Sequence, residues 1–155
     1  TVGADRQANA TAAAALYGSP AIVVDFGTAV TFDVVSVAGN YAGGVIAPGL
    51  GAMTDYLHNR TALLPRVSLR EPRQAIGRST AEAMRSGAIH GYRGLIAEIV
   101  RQILKEIPSK SRTHVIATGG DARLIAGSTG LFSAVSPSLT LEGLRLIGCR
   151  NFPRS

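Results

Sequence analysis

The sequence of 155 residues has one cysteine, no tryptophan and only 5% aromatic residues, and these scarcities exclude several classes of protein. The lone Cys149 cannot form an internal disulfide, and it has no neighbouring His or second Cys for a metal site, so we expect it to pack in the last helix. No apolar run approaches the roughly 20 residues that cross a bilayer. The Ala-rich N-terminus also lacks the charged region of a signal peptide. We therefore expect a soluble cytoplasmic protein without a membrane partner.

Clustered charge is also lacking, although the net charge is +6. The basic residues are mostly arginines, and they are scattered from Arg6 to Arg154 without a long block. Nucleic-acid binding usually requires a clustered basic patch with stacking aromatic residues, so nucleic acid is not an expected partner. The same positive charge would suit an anionic small molecule.

Small and aliphatic residues are abundant in the sequence. Hydrophobic residues make up 46% of the chain and glycines number 18, which favours one domain with an Ala, Val, Ile and Leu core and many tight turns. Such a composition is typical of an α/β architecture.

Hydrophobic periodicity predicts alternating helices and strands. The predicted elements are a helix at 4–17, strands at 21–25, 30–37 and 41–47, helices at 50–59 and 80–107, a strand at 114–118, a helix at 121–126, a strand at 131–135 and a helix at 139–150. Residues 60–78 are predicted to be irregular.

The longest predicted helix, at 80–107, has two notable sequence features. Ser79 with Glu82 forms a capping-box pattern that predicts its start. We expect its glycines, Gly87, Gly91 and Gly94, to pack closely against another helix or the sheet, because they are poor helix formers.

One stretch, Ile22 to Val35, is the candidate centre of the chemistry. It predicts a buried strand that ends at Asp25, a tight turn at Gly27 and Thr28, and a second strand. The turn offers backbone N–H groups and a hydroxyl that suit a phosphate or a phosphate-bound cation. The residues alone favour a simpler interpretation, a hairpin turn with a capping Asp, because this pattern is short and turns are common.

Several further patches, in this order and spacing, extend the pattern over nearly the whole chain. They are Gly3-Ala4-Asp5-Arg6, Asp25-Phe26-Gly27-Thr28-Ala29, Gly43-Gly44-Val45-Ile46-Ala47-Pro48-Gly49, Ile76-Gly77-Arg78-Ser79-Thr80, Ala117-Thr118-Gly119-Gly120 and Leu139-Thr140-Leu141-Glu142-Gly143-Leu144. Together they resemble the type III pantothenate kinases, which phosphorylate pantothenate in the first step of coenzyme A biosynthesis. The Gly-Ala-Asp-Arg patch argues against another actin-fold sugar or acetate kinase.

The resemblance implies an actin-like βββαβαβα lobe, with a mixed sheet flanked by helices. That family opens with a lobe whose Asp-x-Gly-Asn-Thr loop holds the ATP phosphates, and this pattern is absent from the sequence. We therefore expect a missing N-terminal lobe, with residues 1–18 as a helix belonging to it or linking from it and residues 19–155 as the C-terminal lobe. We expect the chain alone to be inactive.

The resemblance also implies roles on the substrate side. Asp5 would be the catalytic base that accepts the hydroxyl proton of pantothenate. Gly3, Ala4, Asp5 and Arg6 match the substrate-binding segment, and Arg6 would attract the pantothenate carboxylate. Asp5 could instead be an ordinary negative charge that stabilises a helix N-terminus. Arg6 could instead be a solvated arginine on the helix surface. Thr80 matches a substrate-contacting threonine, although its hydroxyl could also serve the capping box.

On the nucleotide side, the resemblance implies ATP with a divalent ion, normally Mg²⁺, and a requirement for K⁺ or NH₄⁺. Asp25 matches the monovalent-cation ligand, and Gly27 with Thr28 matches the ATP-contacting turn. Gly119 and Gly120 would receive the adenosine half of ATP, or would form an ordinary strand-to-helix turn.

Other polar residues carry no assigned role. The spacing of Asp33 and Glu142 does not indicate a role for either residue, and the three histidines lack metal-ligand spacing.

The resemblance also implies a homodimer, with the long helix as a candidate partner surface. The alternative function is that of a non-catalytic regulatory relative, because members of this family have also been described as transcriptional accessory factors.

Overall fold

The computed structural model describes residues 2–108 and 112–151. The elements are α1 (Ala4–Leu16), β1 (Ala21–Phe26), β2 (Ala29–Val35), β3 (Tyr41–Pro48), α2 (Ala52–Arg60), α3 (Thr80–Glu106), β4 (His114–Gly119), α4 (Ala122–Ala126), β5 (Ala134–Val135) and α5 (Leu139–Asn151). The predicted order of elements is confirmed, but β2 ends two residues earlier than predicted and β5 keeps only the last two predicted residues. Residues 109–111, a Ser/Lys-rich stretch whose sequence predicts the turn that ends the long helix, lie outside the described residues.

The strands form one mixed sheet in the order β3-β2-β1-β4-β5. The β1–β2 and β2–β3 pairs are antiparallel, whereas β1–β4 and β4–β5 are parallel. The central strand β1 is covered on both faces, which explains its continuous apolar run from Ala21 to Val24. The predicted actin-like lobe, a mixed sheet flanked by helices, is therefore confirmed.

The core lies in two layers, one on each face of the sheet. On one face, α3 and α4 cover Ile22, Val24 and Phe26 of β1. On the other face, Ala21 and Val23 contact the Ala-rich side of α1 and the start of α5. Alternate residues of β1 thus serve different layers, as expected for a strand with two buried faces.

The contact between α1 and α5 is the most extensive helix–helix contact among the described residues. Gly143 of α5 is buried, and a Cβ atom at this position would overlap the carbonyl group of Ala8 in α1. Because only glycine permits this approach, the backbones of the two helices come into direct contact. The last helix therefore packs through Leu139 and Gly143, whereas Leu141 and Leu144 are exposed.

The expectation that Cys149 packs in the last helix is wrong. Its side chain is exposed, because α5 turns its small-residue side towards α1 and leaves this position on the outside.

Helix α3 begins as predicted but its glycines do not behave as predicted. The Ser79 hydroxyl accepts a hydrogen bond from the Glu82 backbone N–H at 3.3 Å, which confirms the cap. Gly87, Gly91 and Gly94 are exposed, and a Cβ atom would meet no neighbour at Gly87 or Gly94. The predicted close packing of these glycines within the chain is therefore wrong.

None of the helices in the described ranges is both long enough and apolar enough to cross a membrane.

Glycine 143 gives a direct test of the α1–α5 packing. We expect Gly143→Ala to lower the free energy of unfolding by about 2 kcal/mol, because the added methyl group must push two helix backbones apart. The matched control is Gly148→Ala on the same helix, where a Cβ atom meets nothing within 4 Å. Urea denaturation should show the control unchanged or more stable by up to about 1 kcal/mol. Equal effects of the two substitutions would contradict the packing described here.

Candidate active site

The turn between β1 and β2 is exposed and held by backbone contacts. Gly27 and Thr28 lie at the surface, and the Thr28 carbonyl accepts a hydrogen bond from the Gly49 N–H at 3.0 Å. A Cβ atom at Gly49 would overlap the carbonyl oxygens of both turn residues. The turn after β3 therefore lies directly against the Gly27-Thr28 turn, and glycine is required at this contact.

A cavity of about 670 Å³ opens beside this turn. Its lining comes from the β1–β2 turn, the start of α2 and the turn after β4, and comprises Phe26, Gly27, Thr28, Gly51, Ala52, Asp55, Tyr56, Gly120 and Asp121. Three of the residues predicted to bind ATP, Gly27, Thr28 and Gly120, are thus brought together on one cavity, although they are far apart in sequence.

Three polar residues of this cavity were not predicted from the sequence. Asp55 and Tyr56 belong to α2, and Asp121 follows the Gly119-Gly120 pair directly. Burial and the charge of Asp121 together raise the pKa of the neighbouring Tyr92 to about 12. The position of Asp121 after a strand and two glycines was the available signal, because side chains at strand ends meet at one edge of a sheet.

Asp25 lies near the end of β1, beside the turn after β4. Its register partners are Thr31 on β2 and Thr118 on β4. A Cβ atom at Gly119 would lie 2.6 Å from the Asp25 Oδ1 atom and 2.5 Å from the Phe26 carbonyl oxygen. Gly119 also has a φ of +90°, so both its conformation and its surroundings require glycine.

The other carboxylate oxygen of Asp25 is bound by a residue that the sequence did not reveal. Asn9 of α1 is fully buried, and its Nδ2 donates a hydrogen bond to Asp25 Oδ2 at 2.9 Å. An asparagine on the apolar side of an Ala-rich helix was the available signal, because burial of an unpaired amide is costly.

The Gly-Ala-Asp-Arg patch forms the start of α1. Gly3, Ala4 and Asp5 are exposed, and Asp5 lies in the first turn of the helix. A Cβ atom at Gly3 would lie 2.5 Å from the Asp5 Oδ1 atom, so the carboxylate folds back over the helix start. Asp5 is therefore open to solvent and to an incoming substrate.

Arg6 is held by a carboxylate that the sequence left without a role. Its Nε donates to Asp33 Oδ1 at 2.6 Å, and Asp33 also accepts hydrogen bonds from Tyr41 and Thr31. Burial raises the pKa of Asp33, and the hydrogen bond and charge of Arg6 lower it only in part. The Arg6 Nη2 atom is buried without a partner among the described residues. Arg6, which the resemblance implies would attract the substrate carboxylate, thus forms a buried ion pair with Asp33.

Thr80 lies apart from these residues in the hydrogen-bond network. It is the first residue of α3 and is exposed, while Ser79 performs the capping. In the ranges 2–108 and 112–151, no hydrogen bond joins Thr80 to α1. The structure therefore separates Thr80 from the capping role without bringing it to Asp5.

The Arg6–Asp33 pair predicts a pH-dependent effect on stability. Without Arg6, the pKa of Asp33 should rise further, because burial would act without its main opposing partner. When the pKa of a carboxyl group is higher in the folded state than in the unfolded state, protonation of that group stabilises the fold at low pH. This stabilisation is lost as the pH rises through the folded-state pKa. We expect Arg6→Met to destabilise more at pH 8 than at pH 5, by at least about 1 kcal/mol.

Urea denaturation at the two pH values measures this difference against the unsubstituted protein. The control is the double variant Arg6→Met/Asp33→Asn, which lacks the buried carboxylate and should lose the pH dependence. A penalty for Arg6→Met that is the same at both pH values would contradict the ion-pair account.

Known proteins of similar structure share the fold. A structure from Campylobacter jejuni, titled a conserved putative Baf family transcriptional activator, has a TM-score of 0.65 at 23% identity and covers 97% of this chain and 65% of its own. An activator of 2-hydroxyisocaproyl-CoA dehydratase from Clostridium difficile, with bound ADPNP, has a TM-score of 0.52 at 9% identity and covers 95% and 66%. Identities this low show the fold alone.

Sequence relatives are much closer. The type III pantothenate kinase of Akkermansia muciniphila is 56% identical over 94% of this chain and 59% of its own length. That of Methylacidiphilum infernorum is 50% identical over 95% and 54%. The chain thus spans somewhat more than half the length of the relatives it matches. The sequence model of this family, described as type III pantothenate kinase, matches residues 1–102, so the chain belongs to the type III pantothenate kinase family.

Proposed function

We propose that the protein transfers the γ-phosphoryl group of ATP to the primary hydroxyl of pantothenate, the first step of coenzyme A biosynthesis. The observation that carries this proposal is sequence similarity: over most of its length, the chain is at least 50% identical to proteins named type III pantothenate kinase. Because the chain spans little more than half of their length, the activity belongs to the whole protein, and the chain alone is inactive. The site of action is the cytoplasm.

The cavity beside the Gly27-Thr28 turn is the proposed nucleotide site. Thr28 is exposed and would offer its backbone N–H and its hydroxyl to phosphate oxygens, whereas the Gly27 N–H already donates to the Ala29 carbonyl at 3.1 Å. Gly120 lies on the same cavity and leaves room for the adenosine half of ATP, with Gly119 shaping the turn behind it.

Asp5 is the proposed catalytic base. Its exposed carboxylate would accept the hydroxyl proton as the pantothenate oxygen attacks the phosphorus. Gly3 and Ala4, which are small and exposed, would contact the substrate beside Asp5. Arg6 would attract the pantothenate carboxylate with the part of its guanidinium that Asp33 does not bind, and Thr80 would contact the substrate.

Cations are proposed at two places. A divalent ion, normally Mg²⁺, would neutralise charge on the ATP phosphates. Asp55 and Asp121 are carboxylates on the cavity that fit such an ion, since Mg²⁺ is usually bound by one or two carboxylates together with substrate phosphates. Asp25 would hold K⁺ or NH₄⁺, and both its Oδ1 and the Phe26 carbonyl oxygen lie beside Gly119, which suits a ligand set of oxygens.

A homodimer is also proposed, with α3 at its interface. Gly87, Gly91 and Gly94 recur on one exposed face of this helix, where each costs about 1 kcal/mol relative to alanine. A second chain packed closely against this face would compensate for that cost.

The regulatory alternative is distinguished by an activity assay. A coupled ATP assay of the full-length protein should show turnover that requires pantothenate and increases with K⁺. No turnover with pantothenate, with or without K⁺, would reject the kinase proposal and leave the non-catalytic alternative.

The role of Asp5 is tested by substitution in the full-length protein. We expect Asp5→Ala to lower kcat by at least about 100-fold with an unchanged fold, because no other group then accepts the proton. Glu142→Gln is the control, since Glu142 is also an acidic residue in the first turn of a helix and should tolerate the change. Near-normal activity of Asp5→Ala would remove Asp5 as the base.

The dimer is tested by filling the open face of α3. We expect Gly87→Leu and Gly94→Leu to shift the full-length protein from dimer to monomer in sedimentation velocity, because the larger side chain prevents close approach. Gly148→Leu on α5, another site with open space, is the control. A dimer that persists in both α3 variants would place the interface elsewhere.

A further inference from the structure

Asn9 connects three elements through one buried side chain. Its Nδ2 donates to Asp25 Oδ2 on β1, and its Oδ1 accepts a hydrogen bond from the Thr140 hydroxyl of α5 at 2.7 Å. Both bonds are at least partly buried, and Asn9 itself is fully buried. All three side chains meet on the side of β1 that faces α1.

The chemistry of the partners fixes the orientation of the Asn9 amide. An ionised carboxylate only accepts hydrogen bonds, so it must face the NH₂ end of the amide. The Thr140 hydroxyl can then donate to the amide oxygen at the other end. If Thr140 lost its hydroxyl, the amide oxygen would be buried without a donor, and the preference for this orientation would weaken.

The two oxygens of Asp25 are thereby given different surroundings. Oδ2 is occupied by Asn9, whereas Oδ1 lies 2.6 Å from the position that a Cβ atom at Gly119 would take, and the Phe26 carbonyl oxygen lies 2.5 Å from the same position. In the part of the chain that the structure describes, no hydrogen bond reaches Oδ1. The free oxygen is therefore held towards the turn after β4, whose Gly120 lines the proposed nucleotide site.

The charge of the donor matters as much as its position. Asn9 is neutral, so it orients the carboxylate without cancelling its negative charge, which a lysine or arginine at the same place would do. A carboxylate that keeps its charge and presents one oxygen in a fixed direction is what a hard monovalent cation requires.

We propose that Asn9 is the positioning residue of the monovalent-cation site, with Thr140 as the residue that orients Asn9. This inference rests on the proposed function, because it takes Asp25 as the ligand of K⁺ or NH₄⁺. It also assigns a role to the last helix, since Thr140 couples the position of α5 to the cation site.

The test uses the full-length protein and two measurements. The first is the rise in melting temperature when KCl replaces choline chloride at equal ionic strength, and the second is the K⁺ concentration that gives half-maximal activation. We expect Asn9→Ala to raise that concentration at least tenfold and to remove most of the KCl-dependent rise in melting temperature. Asp25→Asn should remove that rise completely.

Variants of threonine separate positioning from folding. Thr140→Val should weaken the response to K⁺, whereas Thr140→Ser, which keeps the hydroxyl, should restore it. Thr11→Val is the control, because Thr11 lies on α1 with Asn9 and, among the described residues, its hydroxyl donates only to the Gln7 carbonyl. If Asn9→Ala does not fold, the two Thr140 variants decide the question by themselves.

Two results would overturn the proposal. One is a lower melting temperature in Asn9→Ala and Thr140→Val with an unchanged response to K⁺, which would make the network purely structural. The other is no response of the unsubstituted protein to K⁺ or NH₄⁺. Pantothenate-dependent turnover is measured separately, so failure of the cation site is distinguished from failure of the kinase proposal.

Discussion

The position of α1 depends on two carboxylates that lie on neighbouring strands. Asp25 of β1 accepts a hydrogen bond from Asn9, and Asp33 of β2 accepts one from Arg6. Because the two donors are three residues apart, they lie on the same face of the helix. Together they fix both the rotation of α1 and its position along its axis. The location of Asp5, in the same turn as Arg6, follows from these two bonds.

The opposite side of the candidate site is built from main chain. Gly49 lies against the carbonyls of the β1–β2 turn, and Gly119 lies against Asp25 and the Phe26 carbonyl. Glycine at both positions lets separate turns approach without intervening side chains. The result is a surface rich in backbone carbonyl oxygens, which suits a phosphate-bound cation better than an apolar ligand.

The sequence was sufficient for the elements and insufficient for their contacts. The β1 run and the capping pattern at Ser79 are local signals, and both predictions are confirmed. Helical periodicity shows which residues share a face, but it does not show what covers that face, so the predicted packing of the α3 glycines and of Cys149 was wrong. The bonds of Asn9 to Asp25 and to Thr140 join residues 16 and 131 positions apart, and no local pattern encodes such pairs.

The contact between α1 and α5 has a consequence for biosynthesis. Ala12 and Ala13 are fully buried, and they belong to the layer that Leu139 of α5 completes. During translation, the apolar face of α1 therefore leaves the ribosome long before its cover exists. Contacts between residues so distant in sequence form slowly, and a nascent chain with exposed apolar surface is a substrate for chaperones and prone to aggregation. Helix α1 is thus among the last elements of the described chain to be protected.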